Sequence, residues 1–283
     1  FTVGIAQGIA GLPYASGMSL RLALFAVCMV LTIVHILRYG ARVKRDPARS
    51  VVHGLVPATP ADPSAPLPAL TGRHVAIVVL SLGIFALAIT GTLRWGWYLD
   101  ELAGAFFFIG LVAAALGGRS VRDSTDAFVH GLHDMVVAAL VVGFARGIVV
   151  VMNDAQILDT LIAAAGSLLD GRSPHVAAQG MLAFQTLLNT FVPSGSGQAA
   201  VTMPLMAPLS DLLGITRQTA VLAYQCGDGF SNMVIPTSGT LMAMLLMAGV
   251  PYERWLRFAL PLVGMLLTTS AVFLAIAVAI GYQ

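Results

Sequence analysis

Phe191-Val-Pro-Ser-Gly-Ser-Gly-Gln198 interrupts an apolar stretch that otherwise runs over residues 176–213. Each arm, 176–192 on one side and 199–213 on the other, is short for a helix that must cross a bilayer core of about 30 Å by itself. A turn of small, hydroxyl-bearing residues at the end of an apolar helix therefore reads as the tip of a re-entrant hairpin. Non-helical backbone at membrane depth persists only where it is buried in protein or lines a wet cavity, so such a tip is a candidate binding site. A second interruption follows at Asn232-Met-Val-Ile-Pro-Thr-Ser-Gly-Thr240, where Pro236, Ser238 and Gly239 break another apolar run. Two broken apolar segments in one chain are the sequence pattern of a secondary transporter's substrate site.

Composition sets the class. The 283 residues are 58% hydrophobic and 10% charged, against about 25% charged in soluble domains, and the mean hydropathy is +0.87. The expected fold is an all-α, polytopic membrane protein whose surroundings are the lipid bilayer, with no nucleic-acid partner. A net charge of +2 says little by itself. Cys28 and Cys226 lie far apart in apolar settings and suggest neither a disulfide framework nor a metal site. The chain begins at Phe1, and the apolar residues 2–12 would cover about half a bilayer, so the start reads as truncated.

Residues 20–37 form the first span. Residues 40–73, with Arg42, Lys44, Arg45, Arg49 and prolines from Pro47 to Pro68, read as a cytoplasmic, Pro-rich linker without a fold. Residues 74–154 hold scaffold spans at 75–93, 102–116 and 135–152, with an interfacial aromatic anchor at Arg94-Trp-Gly-Trp-Tyr98. Residues 155–170, carrying Gln156 and Asp159 and flanked by Asp154 and Asp170, read as an amphipathic helix on the interface. Residues 171–283 then contain the hairpin 176–213, a broken helix over 219–250 and a final span over 258–280. The basic linker, the Arg119/Arg122 loop and the Arg254/Arg257 turn fall on one face if the hairpin opens to the other. By the positive-inside rule the linker is then cytoplasmic, and the C-terminus and hairpin mouth are periplasmic or external.

Leu12-Pro-Tyr14 followed by Leu20-Arg-Leu-Ala-Leu24 echoes Val250-Pro-Tyr252 followed by Leu256-Arg-Phe-Ala-Leu260. The spans that follow run in opposite directions, which is the mark of an inverted-topology repeat. Residues 1–39 would then be the tail of one repeat, a half-helix plus one span, and residues 74–283 the whole of the other. The first repeat's own hairpin would lie upstream and open to the cytoplasm.

A helix that starts inside the membrane presents unpaired N–H groups and the positive end of its dipole. Gly197-Gln198 and Gly239-Thr240 begin two such helices; aimed at one point, they would attract a carboxylate. The candidate substrate-binding residues are Ser194, Gly195, Ser196, Gly197, Gln198, Asn232, Pro236, Thr237, Ser238, Gly239 and Thr240, with Asn189 as a further amide. Carbonyls at Val192 and Ile235, with the hydroxyls of Ser194 and Ser238, could hold a sodium ion. Asp228, in Cys226-Gly-Asp-Gly-Phe230, is the sharpest single residue, because an ionisable group within a span is costly and by default functional. It could bind a cation, carry a coupling proton, pair with a basic group or cap a helix end. Arg146 reads as a structural partner or a snorkelling side chain. Tyr224 and Gln225 read as a packed helix face, and His133-Asp134 as solvated.

These motifs resemble a known family. Phe191-Val-Pro-Ser-Gly-Ser-Gly-Gln-Ala-Ala-Val-Thr-Met-Pro204, Arg217-Gln-Thr-Ala-Val-Leu-Ala223, Gly227-Asp-Gly-Phe-Ser-Asn232 and Pro236-Thr-Ser-Gly239 look like the C4-dicarboxylate anaerobic carrier-like (YfcC-type) transporters of the ion transporter superfamily. Phe1-Thr-Val-Gly-Ile-Ala-Gln-Gly-Ile-Ala-Gly11 resembles their opening-half discontinuous helix. The resemblance implies a multi-pass protein of a bacterial inner membrane, an elevator mechanism and a homodimer. The tip 194–198 and the break 236–240 would form half of a substrate and cation site, and helix 155–169 an arm joining scaffold to moving domain. The expected activity is secondary transport of a small carboxylate-bearing metabolite, C4-dicarboxylate-like, coupled to Na⁺ or H⁺ or run as exchange. The alternative is a basic amino acid antiporter of the arginine/ornithine type, and no other cofactor is expected.

Two other classes fit less well. An intramembrane hydrolase built on Ser196 or Ser238 needs a base beside its serine, yet no histidine follows His175 and Gly-x-Ser-x-Gly is absent. A channel filter repeats around a symmetric pore, whereas these two breaks are built differently.

Overall fold

The computed structural model describes residues 2–14, 16–55, 70–97, 99–169 and 171–283, with side chains left out at 93, 99, 134, 137, 138, 141, 142, 145, 146, 148, 149, 153, 158, 162 and 165. The readings of the prolines between 57 and 68, of Tyr98 and Asp170, and of the Asp134 and Arg146 side chains lie outside what is described. The regular structure of the described residues is all helical, with no strand among them. In chain order the helices are α1 (Thr2–Ile9), α2 (Met18–Arg45), α3 (Gly72–Arg94), α4 (Leu99–Leu116), α5 (Val121–Asp154), α6 (Ile157–Leu169), α7 (Pro174–Leu188), α8 (Gly195–Leu212), α9 (Arg217–Ser231), α10 (Gly239–Met247) and α11 (Tyr252–Ala279). A single 3-10 turn, Pro47–Arg49, follows α2.

Among the described residues three helices are long and apolar enough to cross a membrane: Met18–Arg45, the Gly72–Thr92 stretch of α3, and Tyr252–Ala279. Many of their large apolar side chains, among them Leu22, Phe25, Leu82 and Leu260, are exposed. In a soluble protein such surface would need cover; on a spanning helix it is the lipid-facing side.

The chain divides into two compact units, Phe1–Ala58 with Val136–Gln283, and Thr59–Met135. In the smaller unit α3 packs on α4, with Phe85 and Phe106 ring centroids 6.3 Å apart. Gly91 leaves room for the Trp97 indole, which lies 2.4 Å from where a Cβ would be.

In the larger unit α9 is central. It packs against α7, α8, α11 and α1, and eleven of its residues are buried. Small residues allow the close approach: a Cβ on Gly227 would stand 2.7 Å from the Gln185 Cβ and 2.9 Å from the Thr186 backbone nitrogen. Alanines 6, 10, 177, 178, 199, 220 and 223 fill the same core around Met181, Met203 and Met206. This is the small-residue packing by which helices associate in lipid, where apolar burial gives no net drive.

Several boundaries differ from the sequence reading. The linker expected to lack a fold from residue 40 is helical through Arg45 and makes a 3-10 turn at 47–49. Good helix formers follow Leu37, propagation from an existing helix is favourable, and no proline intervenes before Pro47. The loop expected before the span 135–152 is instead the first turns of α5 from Val121, where Ser120 Oγ accepts the Asp123 N–H at 3.1 Å. Gln156 is not in the arm helix: it sits in a turn with φ of 55° between α5 and α6. The first part of the broken helix starts at Arg217 rather than 219 and ends at Ser231, with Asn232 as its C-cap.

Candidate functional site

The hairpin tip is shaped by three local choices. The helix α7 ends at Leu188; Pro193 has no N–H and favours an extended residue before it. Ser194, itself extended, then caps α8, its Oγ accepting the Gly197 N–H at 3.3 Å and its carbonyl accepting the Gln198 N–H at 2.7 Å. The N–H groups of Gly195 and Ser196 donate to no protein acceptor among the described residues. At the break, Ser238 caps α10, its Oγ 3.5 Å from the Leu241 nitrogen, and the N–H groups of Gly239 and Thr240 are likewise without protein acceptors.

The tertiary fold joins the two discontinuities. Thr237 Oγ1 donates to the Thr190 carbonyl at 2.8 Å, linking the break to the hairpin turn. Asn189, fully buried, donates through Nδ2 to the Asp228 carbonyl at 3.0 Å, Ser231 Oγ at 2.8 Å and Asn232 Oδ1 at 3.0 Å. Asn232 Nδ2 returns to the Asp228 carbonyl at 2.9 Å. Asn189 is thus the hub between the α7 end and the α9 end.

Asp228 lies at the hairpin tip. Its Oδ2 is 2.9 Å from the position a Cβ would take on Gly195, its Oδ1 is buried without a hydrogen-bond partner, and the residue is 7% exposed. No cationic side chain pairs with it among the described residues. The structural ion pair offered as one reading of Asp228 is therefore not formed with any described side chain. The start of α1 meets the same point: Thr2 Cγ2 is 2.7 Å from that Gly195 Cβ position. On the other side, the buried Tyr224 hydroxyl donates to the Gly195 carbonyl at 2.5 Å.

The candidate residues divide by what they do. Gln198 is a brace: its Nε2 donates to the Gln185 carbonyl at 2.8 Å and to Gln185 Oε1 at 2.6 Å, tying α8 to α7. Ser194, Ser238 and Thr237 hold backbone in place. Ser196 and the exposed Thr240 have side chains without a protein partner. Pro236 is exposed, and a Cβ at Gly195 would crowd Thr2 and Asp228 while one at Gly197 would crowd Ser194. Of the carbonyls offered for sodium, Val192 already accepts the Ser194 N–H at 2.7 Å and Ile235 the Ser238 N–H at 3.2 Å. No group of three or more His, Cys, Asp or Glu fit to hold a metal occurs among the described residues. Both cysteines are free and buried.

Sequence reasoning passed over Thr2, Gln185 and the Tyr224 tether. It also missed a second polar cluster, where buried Arg21 donates to Gln218 Oε1 at 2.9 Å and to the Ser16 carbonyl at 3.1 Å. Gln7 Nε2 shares Gln218 Oε1 at 3.2 Å. Polar residues spaced along otherwise apolar helices were the available signal.

Paired helix breaks in a helical membrane chain, with a buried carboxylate at one of them, are the pattern of a secondary transporter's site, and comparison with known proteins gives the family. The chain belongs to the C4-dicarboxylate anaerobic carrier family, whose model matches residues 1–279. It is 38% identical, over its whole length and 58% of the relative's, to an Escherichia coli K12 protein named "Putative basic amino acid antiporter YfcC". An uncharacterized protein of Haemophilus influenzae is 29% identical over 99% of this chain and 56% of its own length. The chain thus spans a little over half the length of both curated relatives. Among solved structures, the YdaH transporter of Alcanivorax borkumensis aligns over 99% of this chain and 64% of its own, at 17% identity and a TM-score of 0.48. These family relations point to a carrier rather than an enzyme.

Proposed function

We propose that the chain carries one half of the substrate site of an ion-coupled or exchanging secondary transporter for a small carboxylate-bearing metabolite. The observation that carries this reading is Asp228 at the start of α8, buried and, among the described residues, without a cation, beside N–H groups of Gly195 and Ser196 that have no described acceptor.

The charges decide how such a site can work. A helix N-terminus stabilises an anion by about 0.3–1 kcal/mol, and by about 2 in buried geometry. Two carboxylates about 4 Å apart repel by about 4 kcal/mol at an effective dielectric constant near 20. Repulsion wins, so a substrate carboxylate enters only when Asp228 is neutralised. A proton on Asp228, a sodium ion between it and the Val192, Ser194, Ile235 and Ser238 oxygens, or the substrate's own cationic group would each do so. The first two couple a dicarboxylate to H⁺ or Na⁺. The third describes a basic amino acid, and the name of the Escherichia coli relative favours it as the second reading.

The same proposal takes residues 171–283 with α1 as a moving transport domain, residues 74–154 as scaffold, α6 as the arm between them, and two copies as the assembly. The 28 residues of α2 and of α11, each preceded by a shorter helix, support the inverted repeat. The basic end of α2 facing the cytoplasm, and the C-terminus the outside, complete the reading for a bacterial inner membrane.

Counterflow in proteoliposomes of the intact protein tests it, with labelled succinate or labelled arginine, with and without a sodium gradient, and at two pH values. Succinate exchange that rises with sodium or acid supports the first reading, and arginine exchange the second. Flux that does not saturate would remove the carrier reading itself.

A further inference from the structure

The C-terminal end of α2 carries a row of arginines that the transport site does not use. Arg38, Arg42 and Arg45 lie on one helical face, and Arg49 is brought beside them by the 3-10 turn. With Ala41 and Asp46 they line an open cavity of about 490 Å³. Four arginines against one aspartate leave three net positive charges, since only Arg49 is paired, at 3.0 Å to Asp46. Arg38, Arg42 and Arg45 make no ion pair among the described residues.

The pocket's rim is built. Asp46 Oδ1 accepts the Ala48 N–H at 3.1 Å, and the Tyr39 hydroxyl accepts the Val51 N–H at 2.9 Å. Arg254, at the start of α11, clamps the same turn by donating to the Val51 and His53 carbonyls at 3.1 and 2.7 Å. Phe258 packs against His35, Tyr39 and Trp255, an aromatic cluster of the kind found at headgroup level.

Depth selects the ligand. The apolar residues 20–37 rise about 27 Å along the helix, close to the hydrocarbon thickness, so Arg38 emerges among the headgroups. Beside the arginine row, toward the membrane centre, Val30, Val34 and Leu37 are exposed and offer a path for an acyl chain. We propose that this pocket binds the phosphate headgroup of an anionic phospholipid, with the acyl chain along Val30, Val34 and Leu37. A soluble anion would meet the same charges without the apolar path.

Thermal-shift and native mass measurements on the intact protein, titrated with phosphatidylglycerol, phosphatidylcholine or inorganic phosphate, test the assignment. Phosphatidylglycerol is expected to bind and to lose affinity as salt rises, while phosphatidylcholine does not bind specifically. Arg42→Gln with Arg45→Gln should weaken phosphatidylglycerol by about 25-fold, and Arg42→Lys with Arg45→Lys should keep most of the binding. Equal binding by the Gln pair, equal binding of phosphatidylcholine, or displacement by millimolar inorganic phosphate would overturn the proposal. Should the Gln pair not fold, the wild type still decides: salt-independent binding sinks the idea.

Discussion

The short helices α1 and α10 each precede a 28-residue helix, yet they sit in different surroundings. Residues Ala6 and Gln7 of α1, with Ala10 just beyond it, are completely or almost completely buried against α8 and α9. In α10, Leu241 and Leu245 are buried while Met244, Leu246 and Met247 are exposed. Small residues let α1 approach a backbone; long, flexible ones leave α10 a face that adapts to whatever covers it.

The largest expected effect lies on the α1 side. Asp228→Asn keeps the size of the side chain and removes the charge, and counterflow should fall to background while membrane insertion and unfolding temperature are retained. Normal counterflow in that variant would detach Asp228 from the site. Next, Gly195→Ala pushes a methyl group against Thr2 and Asp228, at an expected cost of about 1–3 kcal/mol in detergent unfolding. Thr2→Ser removes the colliding methyl, so the double variant should recover part of the loss; strictly additive losses would break the α1–α8 contact. Tyr224→Phe removes only the tether to the Gly195 carbonyl and should cost about 1 kcal/mol. At the small end, Met244→Ala should stay within about 0.5 kcal/mol. A loss as large as that of Gly195→Ala would show α10 covered in the intact protein, and the contrast between the two half-helices would then belong to this chain alone.

The arginine pocket is a separate matter from this contrast, since it lies at the far end of α2 and leaves the Asp228 centre untouched. Its variants should change lipid affinity and leave counterflow by the intact protein within twofold, a roughly even ratio that transport assays in a fixed lipid mixture can check.

Much of the fold was legible before any coordinates. Pro193, Ser194, Pro236 and Ser238 announce the two breaks, because proline lacks an N–H and serine caps a helix wherever the chain runs. Apolar runs at 20–37, 75–93 and 258–280 fall in the three described helices long and apolar enough to cross a membrane. What failed were boundaries set by propagation, as in the six helical residues past residue 39 and the early start of α5. Residue roles were harder still. Gln198 looked like a substrate amide and is a brace to Gln185, and Tyr224 looked like packing and tethers the tip.

The sequence by itself determined the membrane class, the helix breaks and the presence of a costly carboxylate, since these depend on local chain chemistry and on transfer out of water. Only the tertiary structure decided that Asp228 meets Gly195 beside Thr2, with no cation from the described residues, and that Asn189 joins α7 to α9. Those facts depend on which residues distant in the chain come within hydrogen-bond reach, and the packing of α9 between α1, α7, α8 and α11 sets that reach.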